Sequence, residues 1–254
     1  MPLRRPGWLR IPFRHRGDQG PAEPETQSVV SHLIELRNRV FISLFSLIPG
    51  AIAGFVFGGQ IIHVLRAPLP TSEPLVVLGL TDAIMIQFQV AIVSGVIVGM
   101  PVILFQFWRY ISPGLTPRER SMARPWVPVA LLFFLIGVTV AWVILPFAVS
   151  FLLGFQTEDL TYLPTADAYF GFVATLFLAF GLTMEFPIVL VLLSKVGIIT
   201  SKRLRSSRRI VILGIAIFAA VVTPGGDLVS PTVLGVVMYI LYEVSIVLVK
   251  AGGH

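Results

Sequence analysis

The chain has 254 residues, 56% of them hydrophobic and only 13% charged, a balance too apolar for a water-soluble domain of this size. It contains no cysteine, which excludes disulfides, thiolate metal sites and cysteine nucleophiles. Its formal net charge of +6 requires no nucleic-acid partner, because arginine-rich loops lying beside anionic headgroups account for it and make membrane lipids the expected surroundings.

Residues 1–28 are rich in Arg, Pro and Gly, lack apolar periodicity, and read as a disordered basic cytoplasmic tail. The Arg4-Arg5 pair within it is not a targeting signal: Pro6, Gly7, Arg10, Pro12, Arg14 and Arg16 interrupt the apolar segment such a signal needs. Six apolar stretches follow, at about 40–57, 84–108, 126–146, 169–194, 210–222 and 229–249, and predict an all-α polytopic membrane domain over residues 29–250 with a short tail at 251–254. A hydrocarbon core of ~30 Å needs ~20 helical residues, and the first four stretches meet that length. The fifth, bounded by Arg209 and by Thr223-Pro224, reaches roughly 20 Å at the helical rise per residue. The sixth contains Pro231 and Glu243, and a Gly225-Gly226-Asp227 turn joins the two. So short a hairpin thins the bilayer or is sheltered by neighbouring helices.

Between spans, Phe147, Phe151, Leu152 and Phe155 recur at helical spacing after Pro146, which predicts a helix break and an amphipathic segment along the outer interface. Thr81 or Asp82, and Thr165 or Asp167, precede apolar runs as helix N-caps do. Gly50, Gly54 and Gly58 in the first span, with Gly95 and Gly99 in the second, permit close helix packing or contact between copies in a larger, self-associated complex.

With these spans drawn, every Lys and Arg except Arg66 falls on one side of the membrane. Basic short loops stay cytoplasmic, so both termini are expected inside a bacterial-type cytoplasmic membrane. The outer loops then carry Glu73, Asp82, Glu158, Asp159, Asp167 and Asp227.

Three acids are candidates for function. Glu185 lies well inside the fourth span, where an ionised carboxylate costs ~2.5 to 3.5 kcal/mol; the alternative is a hydrogen-bonded Glu serving a neighbouring helix and the carbonyl freed by Pro187. Glu35 is either a presented carboxylate or the partner of Arg39 in an i, i+4 pair worth about 0.2 to 0.5 kcal/mol. Glu119 is either presented or closes a capping box in Thr116-Pro-Arg-Glu119. Both acids stand among many arginines, an arrangement that suits presentation of acid to a cationic partner.

A set of strings then appears in order: Ser-His-Leu-Ile-Glu-Leu-Arg at 31–37, Arg-Ala-Pro-Leu at 66–69, Pro-Val-Ile-Leu-Phe-Gln-Phe-Trp at 101–108, Ile-Ser-Pro-Gly-Leu at 111–115 with Glu119-Arg120, Ala-Phe-Gly-Leu-Thr-Met-Glu-Phe-Pro at 179–187, and Thr-Pro-Gly-Gly-Asp at 223–227. Each alone is weak. Their common order over residues 29–250 resembles the TatC family, the multispanning receptor subunit of the twin-arginine protein translocation system. The resemblance implies a receptor for folded proteins whose signal peptides carry paired arginines, contacted through Glu35, Arg37, Tyr110, Leu115 and Glu119. It implies a cupped six-helix bundle with short fifth and sixth helices and Glu185 inside the cup. Single-span partners of the TatA and TatB type and use of the proton gradient are implied with it. Pro68, Pro101, Asp227 and Glu243 match family positions expected in helix shaping or partner contact. The chain departs from several relatives by having Pro231, beside Ser230, where they carry Gln.

No enzyme, cofactor or metal is expected. There is no Walker phosphate loop and no Gly-x-Ser-x-Gly elbow, and His15, His32, His63 and His254 lack metal-ligand spacing. The competing reading is a proton-coupled small-solute carrier, with Glu185 as relay and Gln87, Gln89 and Gln106 lining a path.

Overall fold

The computed structural model describes residues 29–69, 75–117, 120–121, 124–155, 164–195, 197–223 and 228–251. In chain order the helices are α1 Val29–Val56, α2 Gly58–Arg66, α3 Asp82–Ile111, α4 Trp126–Leu153, α5 Ala166–Thr183, α6 Phe186–Lys195, α7 Ser201–Ser206, α8 Arg208–Val222 and α9 Val229–Ala251. A 3-10 turn at Ser112–Gly114 ends α3, and one isolated bridge pairs Val76 with Thr165. Among the described residues, five helical stretches are long and apolar enough to cross a membrane: His32–Val56, Asp82–Gly114, Trp126–Leu153, Ala166–Lys195 and Val229–Lys250. At 15 residues, α8 extends roughly 22 Å.

Side chains on the outer faces are those a bilayer tolerates. Along α8, Ile210, Leu213, Ile217 and Val221 recur on one face and are all exposed, Val221 by 78%. In water this stripe would be a costly patch; against lipid tails it is neutral.

The helices are held by two different kinds of contact. α1 packs chiefly on α3 through small residues. A Cβ added at Gly50 would lie 2.7 Å from Val98 Cβ and 2.9 Å from the Ser94 carbonyl oxygen, and one added at Gly95 would lie 2.9 Å from the Leu47 carbonyl oxygen. The backbones approach too closely for any side chain, so the glycine spacing of the first two spans is used within the chain. Elsewhere large side chains fill the space: Leu145, Leu176, Phe180, Leu234, Tyr242 and Ile246 are fully buried where α4, α5 and α9 meet.

Three expectations change. The sixth helix, expected to be short, is α9, which at 23 residues is long enough to cross a membrane. Pro146 does not end its helix: α4 runs through it to Leu153, and Gly154 closes the end by donating its N–H to the Ser150 carbonyl at 3.0 Å. Leu145, Ala148 and Val149 around the proline are buried, and their packing offsets the single hydrogen bond a proline removes. Phe151 therefore belongs to the same helix as Pro146, and Phe155, just past its end, packs edge to face on it at 5.1 Å. The fourth span, by contrast, is interrupted at Met184-Glu185 between α5 and α6. Pro187 supplies no N–H there, and Ile188 and Val189 both donate to the Glu185 carbonyl, at 3.1 and 3.2 Å.

Thr81 and Thr165 occupy N-cap positions, but neither side chain makes a capping bond. Their acidic neighbours are used differently: Asp82 Oδ2 accepts the Gly79 N–H at 2.8 Å, and Asp167 Oδ1 accepts Gln89 Nε2 at 3.2 Å. The connections at that end are further tied by Tyr169, whose hydroxyl donates to the Leu65 carbonyl at 2.7 Å.

Candidate functional site

At the start of α1, heptad-like spacing turns His32, Glu35 and Arg39 toward the end of α3. The His32 ring stacks on Tyr110, with centroids 4.5 Å apart and 22° between planes. One turn along, Arg39 Nη1 donates to Gln106 Oε1 at 3.2 Å. Glu35 lies between these contacts. Its Oε1 accepts Arg39 Nε at 3.0 Å and a second bond from Arg39 Nη2, while Oε2 accepts none among the described residues. The pair is partly sheltered, with side-chain exposures of 14% for Arg39 and 27% for Glu35. The i, i+4 pair is therefore formed, and it leaves one carboxylate oxygen available while fixing the other.

Beside it, His32, Phe107, Tyr110 and Gly114 line a hollow of ≈ 270 Å³ whose far wall is Val189, Leu192 and Leu193 of α6. Tyr110 thus forms part of a concave, largely apolar surface next to a carboxylate. Arg37 is exposed and, among the described residues, makes one long bond, to Asn38 Oδ1 at 3.4 Å. Leu115 is turned inward, 8% exposed, and packs with Met100, Leu104, Phe134 and Leu192. It anchors the turn after α3 to the core. Glu119 lies outside the described residues, as does Asp227.

A second and larger feature surrounds Glu185. The break between α5 and α6 places its half-buried side chain in a hollow of ≈ 840 Å³ walled by Thr175, Leu182 and Phe186 on one side and Val211, Phe218 and Met238 on the other. Its Oε1 is buried and has no hydrogen-bond partner among the described residues. An unpartnered carboxylate oxygen inside an apolar hollow is costly unless something polar visits it. Ile210, Gly214 and Phe218 of the short α8 form part of its wall.

Glu243 is engaged differently: its Oε2 accepts Arg208 Nη2 at 2.7 Å, linking α9 to the start of α8, while its buried Oε1 lacks a partner among the described residues. Pro68 is half-buried just after α2, and Pro101 lies exposed within an uninterrupted α3. The three glutamines do not form a path to Glu185. Gln87 donates to the Phe55 carbonyl and Gln89 to Asp167 near the start of α3, whereas Gln106 bonds Arg39 near its other end. Spaced from residue 89 to 106, the latter two are roughly 25 Å apart along the helix.

The sequence alone names no partner for His32, which is exposed, and offers Gln106 as a path liner. Their real partners, Tyr110 and Arg39, follow from an antiparallel pairing of α1 and α3, which the glycine spacing signals without giving the register.

The chain as a whole is similar to proteins of one family. The family model described as "Sec-independent protein translocase protein (TatC)" matches residues 31–236. The chain is 35% identical over 238 residues to the Sec-independent protein translocase protein TatC of Deinococcus radiodurans, covering 90% of this chain and 88% of that one. It is 35% identical over 228 residues to TatC of Aquifex aeolicus, covering 87% and 94%, and 33% identical over 227 residues to TatCy of Bacillus subtilis, covering 88% and 89%. Among solved structures, the crystal structure of the twin arginine translocase receptor TatC superposes with a TM-score of 0.75 at 34% identity, covering 88% of this chain and 100% of that one. This is a multi-pass membrane protein of the Tat transport system, from a family of translocase components and not of enzymes. The chain belongs to the TatC family.

Proposed function

We propose that the chain is the receptor that captures signal peptides bearing paired arginines, through Glu35 and Glu119, for export of folded proteins across the cytoplasmic membrane. The observation that carries this reading is the held carboxylate of Glu35, with Oε2 open, beside the Tyr110 hollow. Arg39 fixes the carboxylate from one side, and an arriving guanidinium bonds it from the other. Charge-assisted bonds of this kind contribute ~1.5 to 3 kcal/mol. The Tyr110 and His32 rings receive a guanidinium face or the apolar residues that follow the pair. Lysine lacks the planar fork and binds less well.

In this reading six helices cross the membrane, α8 among them despite its length, and form a cupped bundle with both termini cytoplasmic. All Lys and Arg except Arg66 then lie inside. Single-span partners of the TatA and TatB type dock against the bundle, with the Glu185 hollow as the place where a polar residue of such a helix is received, and the proton gradient drives transport. The solute-carrier alternative loses its path, since its glutamines are engaged at opposite ends of α3.

The test is binding of a paired-arginine signal peptide and its paired-lysine twin to purified protein, wild type and Glu35→Ala with Glu119→Ala. Preference for arginine in wild type, lost in the double variant, is the expected result. Equal binding of the two peptides by wild type sinks the receptor reading.

A further inference from the structure

Close to the proposed signal site, the same end of the bundle holds a pocket of opposite charge. Phe105, Trp108, Arg109 and Ser112 from the end of α3, with Arg120 and Arg124 from the segment leading into α4, enclose ≈ 260 Å³. Three guanidinium groups line one hollow, and none of them is in an ion pair; the ion pairs among the described residues are Arg39 with Glu35 and Arg208 with Glu243. Converging unpaired arginines repel one another unless an anion lies between them. A cationic signal peptide is the wrong ligand for such a place, and a phosphate is the right one, since guanidinium forks match its oxygens.

What lies along the helices from the arginines identifies the source of that phosphate. On α3, Val98, Val102 and Phe105 are exposed and share a face with Arg109 at positions i−11, i−7 and i−4. On α4, which begins two residues after Arg124, Pro128, Leu132 and Leu135 are exposed on one face. α3 and α4 are packed neighbours. Two apolar tracks therefore run from one cationic pocket into the membrane-spanning part of adjacent helices, an arrangement that suits one headgroup and two acyl chains. Trp108 and Trp126 stand next to these arginines in the chain, and tryptophan settles at headgroup level. A free phosphate ion would use the arginines but would have no need of the tracks.

We infer that Arg109, Arg120 and Arg124 form a binding site for the phosphate headgroup of an anionic phospholipid, whose chains lie along α3 and α4. Arg120 follows Glu119 in the chain, so lipid binding there bears on the signal capture proposed above while being separable from it.

Native mass spectrometry of the delipidated full chain, titrated with dioleoyl phosphatidylglycerol, with the zwitterionic choline lipid of the same chains, and with inorganic phosphate as competitor, tests the inference. Wild type is expected to hold one glycerol lipid about tenfold more tightly than the choline lipid. Arg120→Gln with Arg124→Gln should lose that preference, and Lys202→Gln with Arg205→Gln, exposed cations on α7, should keep it. Arg120→Lys with Arg124→Lys, which preserves charge, should weaken binding by about threefold and carries the test if the glutamine pair does not elute as a single species. Equal binding of the two lipids by wild type, an equal loss in the α7 variant, or no change in the lysine pair overturns the site. Displacement of the glycerol lipid by millimolar inorganic phosphate overturns the lipid assignment in favour of a soluble anion. Paired-arginine peptide binding, measured on the same samples, reports separately whether the receptor reading holds.

Discussion

Arg39 and Gln106, 67 positions apart in the chain, are joined at 3.2 Å across α1 and α3, and the same guanidinium holds Glu35. A single arginine thus sets both the seating of the first helix and the direction in which the candidate recognition carboxylate points.

Replacing Gln106 by Leu is expected to leave Arg39 with one partner and to destabilise the chain by about 1 to 2 kcal/mol, because a buried polar contact is removed beside a charge. Thermal unfolding in detergent measures this. Affinity for a paired-arginine peptide should fall with it, since Glu35 loses its fixed orientation; unchanged affinity would show that Arg39 alone is enough.

The seam between α1 and α3 predicts an asymmetric response to added methyl groups. Gly95→Ala and Gly50→Ala place a Cβ within 3.0 Å of backbone or a neighbouring Cβ, so both should force α1 away and cost about 1 to 3 kcal/mol. Gly214→Ala, where nothing lies within 4 Å, should be neutral or stabilising by about 0.5 to 1 kcal/mol. Protease resistance of the membrane-inserted chains would rank the three.

In the hollow around Glu185, the substitutions Glu185→Gln and Glu185→Leu separate two roles. Leu removes an unpartnered buried oxygen and is expected to raise the unfolding temperature, while abolishing co-purification of a single-span partner helix. Gln retains an acceptor and should keep the partner within about threefold of wild type. Loss of the partner in both variants would mean that the charge itself is read.

Tyr169→Phe deletes the hydroxyl that reaches the Leu65 carbonyl and leaves the ring in place. A loss of about 1 kcal/mol is expected, with faster hydrogen exchange at the end of α2. No change in exchange there would show that the Val76 and Thr165 bridge holds these connections by itself.

Helix identity was legible in this chain because apolar runs of bilayer length have few alternatives. Positions where proline acts were not. Pro146 and Pro187 both sit in buried apolar runs, yet α4 continues through one and the span breaks beside the other; burial does not separate them, since Leu145 and Ala148 are buried at the first and Met184 and Ile188 at the second. The acids were legible as candidates, since charge in an apolar chain is conspicuous. Their partners were not: the Glu35 pair with Arg39 follows from local spacing, whereas Gln106 depends on the register of two helices. Leu115 shows the converse limit, for a residue matched to a recognition motif proves to be a core side chain.

The glycine seam also constrains how the protein is made. Its two halves, Gly50 and Gly54 on α1 and Gly95 and Gly99 on α3, are separated by roughly 45 residues of chain, about 2 to 9 s of synthesis at ordinary ribosomal rates. During that interval α1 has no surface to nest against. The first helix is therefore expected to remain beside the insertion machinery until α3 emerges, so that the pair leaves for the bilayer together and the later helices assemble on an already formed hairpin.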